Sequence, residues 1–391
     1  MSFAGLPSSS LFINIYGKDK YMNFKNLNIN LKLIDLLKKN GIVTPTKVQE
    51  EVIPKIINKN DLIVKSKTGS GKTLSFLLPL LQRINSNSKN TEVLILSPTR
   101  ELAIQITEEA NKFNINNLGI LAAYGGKDVG SQLKKLNKCI NIILATPGRL
   151  IDHLERKSID LSKLNTVVID EADQMLLMGF RNEIEKIMSY APKKIQTLCF
   201  SATIDSKVKK LAYRYMDNPT IIDITEKEES EIPNIKQEVV KTTDRWKADA
   251  LIKILEEDNP FMSIIFCRTK RRADELEIKL AAKGIKAAKI HSDIPQNKRE
   301  KIMKDFRNCE IQYLIATDVA SRGIDVTGVT HIYNYDAPES VESYIHRIGR
   351  TARAGDTGYT CLITDPKNYN ILEEIEEYLK INIPERYVKF R

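Results

Sequence analysis

Short runs of isoleucine, valine and leucine alternate with amphipathic helical stretches over most of this 391-residue chain. In the first half, each run ends beside a polar turn: Leu62 to Val64, Val93 to Leu96, Ile142 to Leu144, Val167 to Ile169 and Thr197 to Phe200. Continuous apolar strands between helices are typical of a parallel sheet covered on both faces. Ligands of such sheets bind at the carboxyl ends of the strands. The first half is therefore predicted to be an α/β domain with its site at those ends.

The same alternation resumes after an acidic stretch, Thr225 to Pro233, whose composition is typical of a linker. Strands are predicted at Ser263 to Phe266, Ala287 to Ile290, Tyr313 to Ala316 and His331 to Tyr335, and helices at Lys270 to Lys283, Gln296 to Phe306 and Tyr369 to Leu379. We predict an N-terminal extension (1–20), a first domain (21–225), a linker (226–234) and a second domain (235–391).

Composition excludes several classes of protein. The 42% hydrophobic and 28% charged content is that of a globular chain, and the longest apolar stretch, Leu74 to Leu81, is far shorter than the roughly 20 residues of a membrane span. Five dispersed cysteines without a CxxC pair and four scattered histidines predict reduced thiols and no zinc site. The net charge of +10 favours a polyanionic partner. A cytoplasmic protein without membrane contact is expected.

A glycine-rich turn, Ser66 to Thr73 (SKTGSGKT), follows the first strand and leads into an apolar helix. This is the context that a phosphate-binding P-loop requires. Gly69 and Gly71 let backbone N–H groups and the helix N-terminus face phosphate oxygens. Lys72 can then reach the β and γ phosphates, and Thr73 can hold magnesium. The first residue of the turn stands where the general pattern has Gly, so a chance glycine-rich turn is the alternative interpretation.

Two acidic residues follow the buried run Val167 to Ile169. An acid at a strand end is the second part of a P-loop nucleotide site, and Asp170 is placed to hold magnesium there. Glu171 is placed to activate the attacking water. Adjacent acids in this position are more often a solvated turn or a helix cap, but the P-loop upstream favours the catalytic interpretation.

With the P-loop placed, the tetrapeptide Asp170 to Asp173 (DEAD) makes the chain resemble a DEAD-box RNA helicase of helicase superfamily 2. The resemblance extends from about Phe24 to the C-terminus, and the motifs occur in the family's order. The further motifs are Thr44–Gln49, Pro98–Ala103, Gly125–Gly126, Thr146–Arg149, Ser201–Thr203, Ser321–Asp325 and His346–Arg353. The resemblance implies two tandem RecA-like domains, each a mostly parallel sheet flanked by helices, with ATP and Mg²⁺ as cofactors and RNA as partner.

The resemblance implies a nucleotide site that both domains share. Phe24 would cover the adenine face, and Gln49 would read its edge because an amide can donate and accept in one plane. The alternative for this segment alone is a helix-capping Thr46 with an exposed Gln49. The implied ATP contacts are Phe24, Gln49, Ser66, Thr68, Gly69, Ser70, Gly71, Lys72, Thr73 and Asp325, with Thr73 and Asp170 as metal ligands.

Catalysis would need two arginine fingers from the second domain, Arg350 and Arg353. Such fingers contribute about 10³ to 10⁵ in rate, so hydrolysis is expected to be negligible until the domains close. Without the other motifs, the two arginines would indicate only a basic helix end. The implied catalytic residues are Lys72, Asp170, Glu171, Arg350 and Arg353. Ser201 and Thr203 are implied to couple ATP hydrolysis to RNA unwinding.

The resemblance also implies an RNA groove across both domains, read through the sugar-phosphate backbone and hence without sequence preference. The implied RNA contacts are Pro98, Thr99, Arg100, Gly126, Thr146, Gly148, Arg149, Gln296, Arg299, Thr317 and Asp318; Arg268 is added to them on separate grounds. Independently of the family, the cations from Arg268 to Arg272 crowd the start of a predicted helix and oppose its dipole. A docked phosphate would explain that placement, and a solvated surface run is the alternative.

Small departures from the family pattern occur at Ser66, Ser321 and Ser292, and they leave the charged residues of the site intact. One alternative function is a DNA-directed translocase of the same superfamily, which the DEAD tetrapeptide disfavours. The other is an RNA clamp or scaffold with slow turnover, which Glu171 and the arginines disfavour. A monomer is expected; the target RNA and any protein cofactors are left open.

Overall fold

The structure is a computed structural model, and it describes residues 23–66, 69–85, 87–126, 139–224, 235–318, 326, 328–352 and 357–389. Within these ranges, helices and strands alternate along the chain and build two separate sheets. None of the helices in these ranges is long and apolar enough to span a lipid bilayer.

Seven strands of the N-terminal half pair in one parallel sheet. They are β1 Leu62–Lys65, β2 Val93–Leu96, β3 Ile120–Ala123, β4 Ile142–Ala145, β5 Thr166–Ile169, β6 Gln196–Ser201 and β7 Thr220–Asp223. Their order across the sheet is β3-β4-β2-β5-β6-β1-β7. The accompanying helices are α1 Leu31–Lys39, α2 Lys47–Ile57, α3 Lys72–Arg83, α4 Arg100–Lys112, α5 Pro147–Glu155, α6 Ala172–Leu177, α7 Arg181–Met188 and α8 Ser206–Ala212.

Alternate residues of the central strands supply two hydrophobic cores, one on each face of the first sheet. On β1, Val64 packs into the core that contains Phe76 of α3, whereas Ile63 packs into the core that contains Met175 of α6. All of these side chains are buried, and each contributes about 1.5–3 kcal/mol of burial free energy. The sheet is therefore a rigid base for the turns at its carboxyl edge.

Six strands of the C-terminal half form a second parallel sheet. They are β8 Ile235–Lys241, β9 Ser263–Cys267, β10 Ala287–Ile290, β11 Tyr313–Thr317, β12 His331–Asn334 and β13 Gly358–Thr364. Their order is β10-β11-β9-β12-β13-β8. The helices are α9 Lys247–Asp258, α10 Lys270–Ala282, α11 Gln296–Arg307, α12 Val341–Ile348 and α13 Tyr369–Leu379, with short 3₁₀ turns at Asp244–Trp246 and Pro366–Asn368.

The predicted α/β fold with mostly parallel sheets is confirmed, because every pairing between the described strands is parallel. Each predicted strand and helix is present, with ends that differ by a residue or two. Four strands were not predicted: β3, β7, β8 and β13. The extension 1–20 and the linker 226–234 lie outside the described residues, and the domain limits stay a prediction.

Candidate functional site

The strand order divides the carboxyl edge of the first sheet into two regions. The neighbours β3, β4 and β2 lead to three segments predicted to contact RNA, namely Gly126, Thr146–Arg149 and Pro98–Arg100. Strand β5 leads to the acids that begin at Asp170, and β1 leads to the P-loop that begins at Ser66, with β6 between these two strands. Because parallel strands end at one edge, the two predicted sites lie side by side.

The P-loop has the backbone that a phosphate cradle needs. Gly69 and Gly71 have φ of +79° and +94°, in the left-handed region that glycine adopts without strain. A Cβ at Gly71 would lie 2.7 Å from Nε2 of Gln49, so a side chain does not fit there. Lys72 begins α3 and donates its Nζ to the carbonyl oxygen of Ser66 at 2.9 Å.

Two hydroxyl groups of the P-loop point to a missing polar partner. The Oγ atoms of Ser66 and Ser70 are buried without a hydrogen-bond partner among the described residues. Buried polar atoms are rarely left unpaired, so these hydroxyls fit a site that receives phosphate oxygens. Thr73 is the second residue of α3, where its hydroxyl can serve as a metal ligand. Thr68 lies outside the described residues.

Gln49 joins helix α2 to the P-loop. Its side chain is 2% exposed; Oε1 accepts from the backbone N–H of Thr46 at 3.0 Å, and Nε2 donates to the carbonyl oxygen of Gly71 at 3.2 Å. The helix-capping alternative with an exposed Gln49 is thus incorrect in its second half. Phe24 differs from expectation: its ring is 2% exposed and packs in the hydrophobic core, so no face is open to an adenine.

The acids after β5 are buried close to one another. Burial raises the pKa of Asp170 to about 7; Glu171 and Asp173 add to the rise, and Lys72 opposes it. A nearby cation would reverse that cost, so the site suits a divalent ion held by Asp170, Thr73 and phosphate oxygens. Glu171 has φ of +49° and a buried Oε2 without a hydrogen-bond partner in the described chain. Strained backbone of this kind is concentrated at functional sites.

Ser201 and Thr203 hold the last acid of the tetrapeptide. Asp173 donates its backbone N–H to Ser201 Oγ at 3.2 Å. Its Oδ2 accepts from the backbone N–H of Thr203 at 3.2 Å and from the Thr203 hydroxyl at 3.3 Å. The predicted coupling residues therefore contact the acidic segment directly.

Helix α12 of the second domain brings its end to these acids. Nε2 of His346 lies 3.9 Å from Oδ2 of Asp173, and Arg350 is buried two residues beyond the helix. Burial lowers the pKa of His346; Asp173 and Glu171 oppose this decrease, and Arg350 and Lys72 add to it. The charged ends of the two domains thus meet around one histidine. Arg353 and Asp325, the other predicted contacts from this domain, lie outside the described residues.

Three residues predicted to contact RNA contact the opposite domain. Arg299 Nη2 lies 2.7 Å from Glu101 Oε1, with side chains 7% and 11% exposed. Arg100 Nη1 donates to Gln296 Oε1 at 3.2 Å, and Gly126 lies against the Arg100 guanidinium. Arg100, Gln296 and Arg299 thus have partners across the two domains, and their contact with RNA stays a prediction. The sequence did not indicate a role for Glu101, although this residue lies within the Pro98–Ala103 motif.

The other first-domain candidates lie at two adjacent helix N-termini. Thr99 caps α4 by accepting from the Leu102 N–H at 3.3 Å, and Thr146 is the N-cap of α5. Pro98 and Arg149 flank these caps, and a Cβ on Gly148 would meet nothing within 4 Å. Helix N-termini carry unpaired N–H groups and partial positive charge, so this edge suits phosphates.

In the second domain, Thr317 ends β11 and is buried. Asp318 differs from expectation, because both of its carboxylate oxygens accept hydrogen bonds from Arg347. Its side chain is therefore committed to the protein instead of RNA.

The cations from Arg268 to Arg272 are mostly matched by acids, which corrects the argument for a phosphate there. Lys270 pairs with Asp293 at 2.6 Å, Arg271 with Glu275 at 3.0 Å, and Arg272 with Asp244 and Asp336, both at 2.8 Å. Arg268 donates to Ala337 O and Asn368 Oδ1, both at 3.1 Å, and is exposed. Lys270 and Arg271 are also exposed, at 47% and 87%, but each pairs with an acid, so Arg268, which donates its guanidinium to neutral acceptors, stays the predicted RNA contact of this group.

Comparison with known proteins places the chain in a family. The DEAD/DEAH box helicase model matches residues 46–211, and the helicase conserved C-terminal domain matches residues 246–355. The DEAD-box ATP-dependent RNA helicase CshA of Bacillus subtilis strain 168 is 42% identical over 360 residues, which are 92% of this chain and 73% of that protein.

Solved structures agree with this placement. S. cerevisiae Dbp5 bound to RNA and ADP BeF3 superposes with a TM-score of 0.85 at 29% identity, over 93% of this chain and 95% of that one. Mss116p bound to ssRNA and AMP-PNP gives 0.84 at 30% identity, over 95% and 81%. These neighbours confirm the predicted fold class of two tandem RecA-like domains. The chain belongs to the DEAD/DEAH box helicase family.

Proposed function

We propose that the protein is an ATP-dependent RNA helicase whose two domains close on ATP and RNA and locally separate short duplexes without regard to sequence. The observation that carries this proposal is that both domains meet at His346. Its Nε2 lies 3.9 Å from Oδ2 of Asp173, and the charges of Lys72 and Arg350 both act to lower its pKa. A triphosphate between those groups would contact both domains at once. Closure and phosphate binding are then one event.

Each described residue of the nucleotide site has a role in this proposal. Lys72 and the P-loop N–H groups bind the β and γ phosphates, and Glu171 orients the attacking water. Magnesium, when bound by Thr73 and Asp170, neutralises charge on the phosphates. Arg350, together with Arg353, stabilises the negative charge that develops on the transferred phosphoryl group.

RNA would lie along the edge formed by the N-termini of α4 and α5 and continue past Thr317. Dbp5 is bound to RNA and ADP BeF3, and Mss116p is bound to ssRNA and AMP-PNP, which supports RNA and ATP as the ligands here. Contacts from N–H groups and hydroxyls to phosphates carry no base information. With about four to six phosphates neutralised, the log–log salt slope is expected near −0.7 per contact. Discrimination against DNA would come from 2′-hydroxyl contacts.

The test is ATP hydrolysis measured without nucleic acid, with single-stranded RNA and with DNA of identical sequence. We expect strong stimulation by RNA alone. Equal stimulation by DNA would favour a translocase that acts on DNA. Retention of RNA in the presence of ATP without turnover would favour a clamp with slow turnover. A monomeric, cytoplasmic enzyme stays the expectation.

Replacement of Glu171 separates hydrolysis from binding. In Glu171→Gln the side chain keeps its shape but loses the carboxylate that orients water, so turnover should fall by about 10² or more. RNA retention with ATP should persist, because the P-loop and the helix N-termini are untouched. Single-turnover hydrolysis and filter binding measure the two properties. Full activity in the variant would refute the assigned role.

A further inference from the structure

Arg347 is the largest fully buried side chain in the described residues. It lies on α12 between His346 and Arg350, with its guanidinium centre 5.0 Å from the ring of Phe266. Its Nε and Nη2 donate to the two carboxylate oxygens of Asp318, both at 2.7 Å. Its Nη1 donates to Asn334 Oδ1 at 3.0 Å and to the carbonyl oxygen of Asp336 at 2.7 Å.

This contact is specific to arginine. A planar guanidinium can donate two parallel hydrogen bonds to one carboxylate, whereas a lysine ammonium cannot. A buried ion pair is weak evidence for stability, because desolvation offsets most of the attraction. The contact is better understood through the parts of the molecule that it fixes.

The Arg347–Asp318 pair joins the two ends of the proposed mechanism. Asp318 directly follows Thr317 at the carboxyl end of β11, on the side predicted to face RNA. Arg347 lies three residues before Arg350, about one helical turn, and next to the histidine that faces Asp173. A shift of the β11 end would therefore be passed to the segment that presents Arg350.

We propose that Arg347 is a positioning residue that, through its forked contact with Asp318, sets the placement of Arg350 according to the state of the RNA-facing end of β11. This rests on the proposed function, in which Arg350 acts on the transferred phosphoryl group. Asp318 is accordingly a part of this link, and RNA binds beside it.

The test compares Asp318→Asn, Arg347→Lys, Arg347→Gln and the double variant Asp318→Asn/Arg347→Gln in RNA-stimulated ATP hydrolysis. We expect kcat at saturating RNA to fall by about tenfold to a hundredfold. The KM for ATP and the RNA concentration for half-maximal rate should change less than about twofold, since neither residue contacts a ligand. Lysine should not rescue, and the double variant should be no worse than the worse single one.

Arg386→Gln is the matched control for lost stability. Arg386 is another arginine of the second domain that pairs with acids and is 17% exposed, but its partners Glu257 and Asp258 lie at the C-terminal end of α9. This control should lower stability and leave kcat unchanged. Should Arg347→Gln fail to fold, Asp318→Asn decides the question, because the Asp318 side chain is 26% exposed and tolerates the change better.

Three results would overturn the proposal: an unchanged kcat, a loss that Arg386→Gln reproduces, or a loss that appears as weaker RNA affinity. Arg350→Ala is measured alongside. If Arg350→Ala retains full activity, the proposed role of Arg350 fails. If Arg350→Ala is inactive while the Arg347 and Asp318 variants retain kcat, only the positioning role fails.

Discussion

Thr351 fixes the backbone immediately after Arg350. Its buried hydroxyl donates to the carbonyl oxygens of Val329 at 2.6 Å and Thr330 at 3.1 Å. Gly358 leaves room for this turn, because a Cβ there would come within 2.6 Å of the Thr351 methyl group. The Thr351 hydroxyl therefore helps to fix the direction in which the chain leaves α12, and hence the position of Arg350.

Removal of that hydroxyl should reduce activity more than removal of the methyl group. Thr351→Val leaves the Val329 carbonyl oxygen without this donor at a cost of about 1–2 kcal/mol, while the Thr330 carbonyl oxygen keeps the Tyr359 N–H at 3.0 Å. Thr351→Ser keeps both hydrogen bonds. We expect Thr351→Val to lower the RNA-stimulated kcat several-fold and Thr351→Ser to stay near the parent. Equal effects of the two substitutions, measured with their unfolding free energies, would argue against this role.

Residues that work through local sequence were predictable, and residues that work through distant pairing were not. The glycines and Lys72 follow β1 directly, and Asp170 follows β5 directly, so the strand before each fixes its place. Glu101 and Arg347 were not assigned roles, because their partners are distant in sequence and nothing local indicates them. The cations at Arg268 to Arg272 were misjudged for the same reason: the acids that match most of them come mainly from other elements.

Among the strands, position in the sheet explains three of the four that were not predicted. The central strands are buried on both faces, and their sequences are continuous apolar runs. Of the missed strands, β3, β7 and β8 lie at sheet edges, and β8 alternates buried residues with the exposed or half-exposed Lys236 and Glu238. The fourth, β13, is an interior strand, but glycine and threonine interrupt its apolar sequence.

The edge of β8 is covered by the chain after α13. Val239 donates its N–H to Pro384 O at 3.0 Å, and Arg386 donates its N–H to Val239 O at 2.8 Å. The Arg386 side chain then pairs with Glu257 and Asp258 at the C-terminal end of α9, both at 2.8 Å. Acids at the C-terminal end of a helix oppose its dipole, so the Arg386 side chain stabilises α9 by neutralising them. The backbone of the same residue covers the edge of the sheet.

Arg386→Ala should therefore destabilise the second domain. Asp258 is 13% exposed, so loss of its cation should lower the free energy of unfolding by about 2 kcal/mol. The single tryptophan, Trp246, immediately precedes α9, and its fluorescence during urea denaturation reports this domain. Lys253→Ala on the same helix removes an exposed pair with Glu256 and should cost less than about 0.5 kcal/mol. Similar midpoints for the two variants would contradict the argument.

At the scale of the whole molecule, two kinds of contact join the domains in the closed arrangement. The His346–Asp173 approach lies at the predicted nucleotide site, and the Glu101–Arg299 pair lies among the residues predicted to contact RNA. The second is a desolvated ion pair that exists only when the domains meet. It therefore contributes to closure without contributing to the folding of either domain.

Glu101→Gln tests closure directly. Arg299 would be buried without its anion in the closed state and solvated in the open state, so closure should weaken by about 3 kcal/mol, roughly a hundredfold in equilibrium constant. The RNA concentration for half-maximal ATPase activity should rise accordingly, while the unfolding midpoint stays unchanged. Glu109→Gln, which breaks an exposed pair with Lys112 on the same helix α4, should change neither.

The same variant separates an interdomain role of Arg299 from a direct RNA contact. If Arg299 bound phosphate, Arg299→Gln would weaken RNA binding, whereas Glu101→Gln would leave it intact or strengthen it by freeing the guanidinium. If the pair holds the domains together, both substitutions weaken RNA-dependent closure to a similar extent, and the double variant is no worse than either single one. Energy transfer between one label on each domain, with ATP and increasing RNA, measures closure itself. Tighter RNA binding by Glu101→Gln would show that Arg299 contacts RNA and that the Glu101–Arg299 pair does not stabilise the closed state.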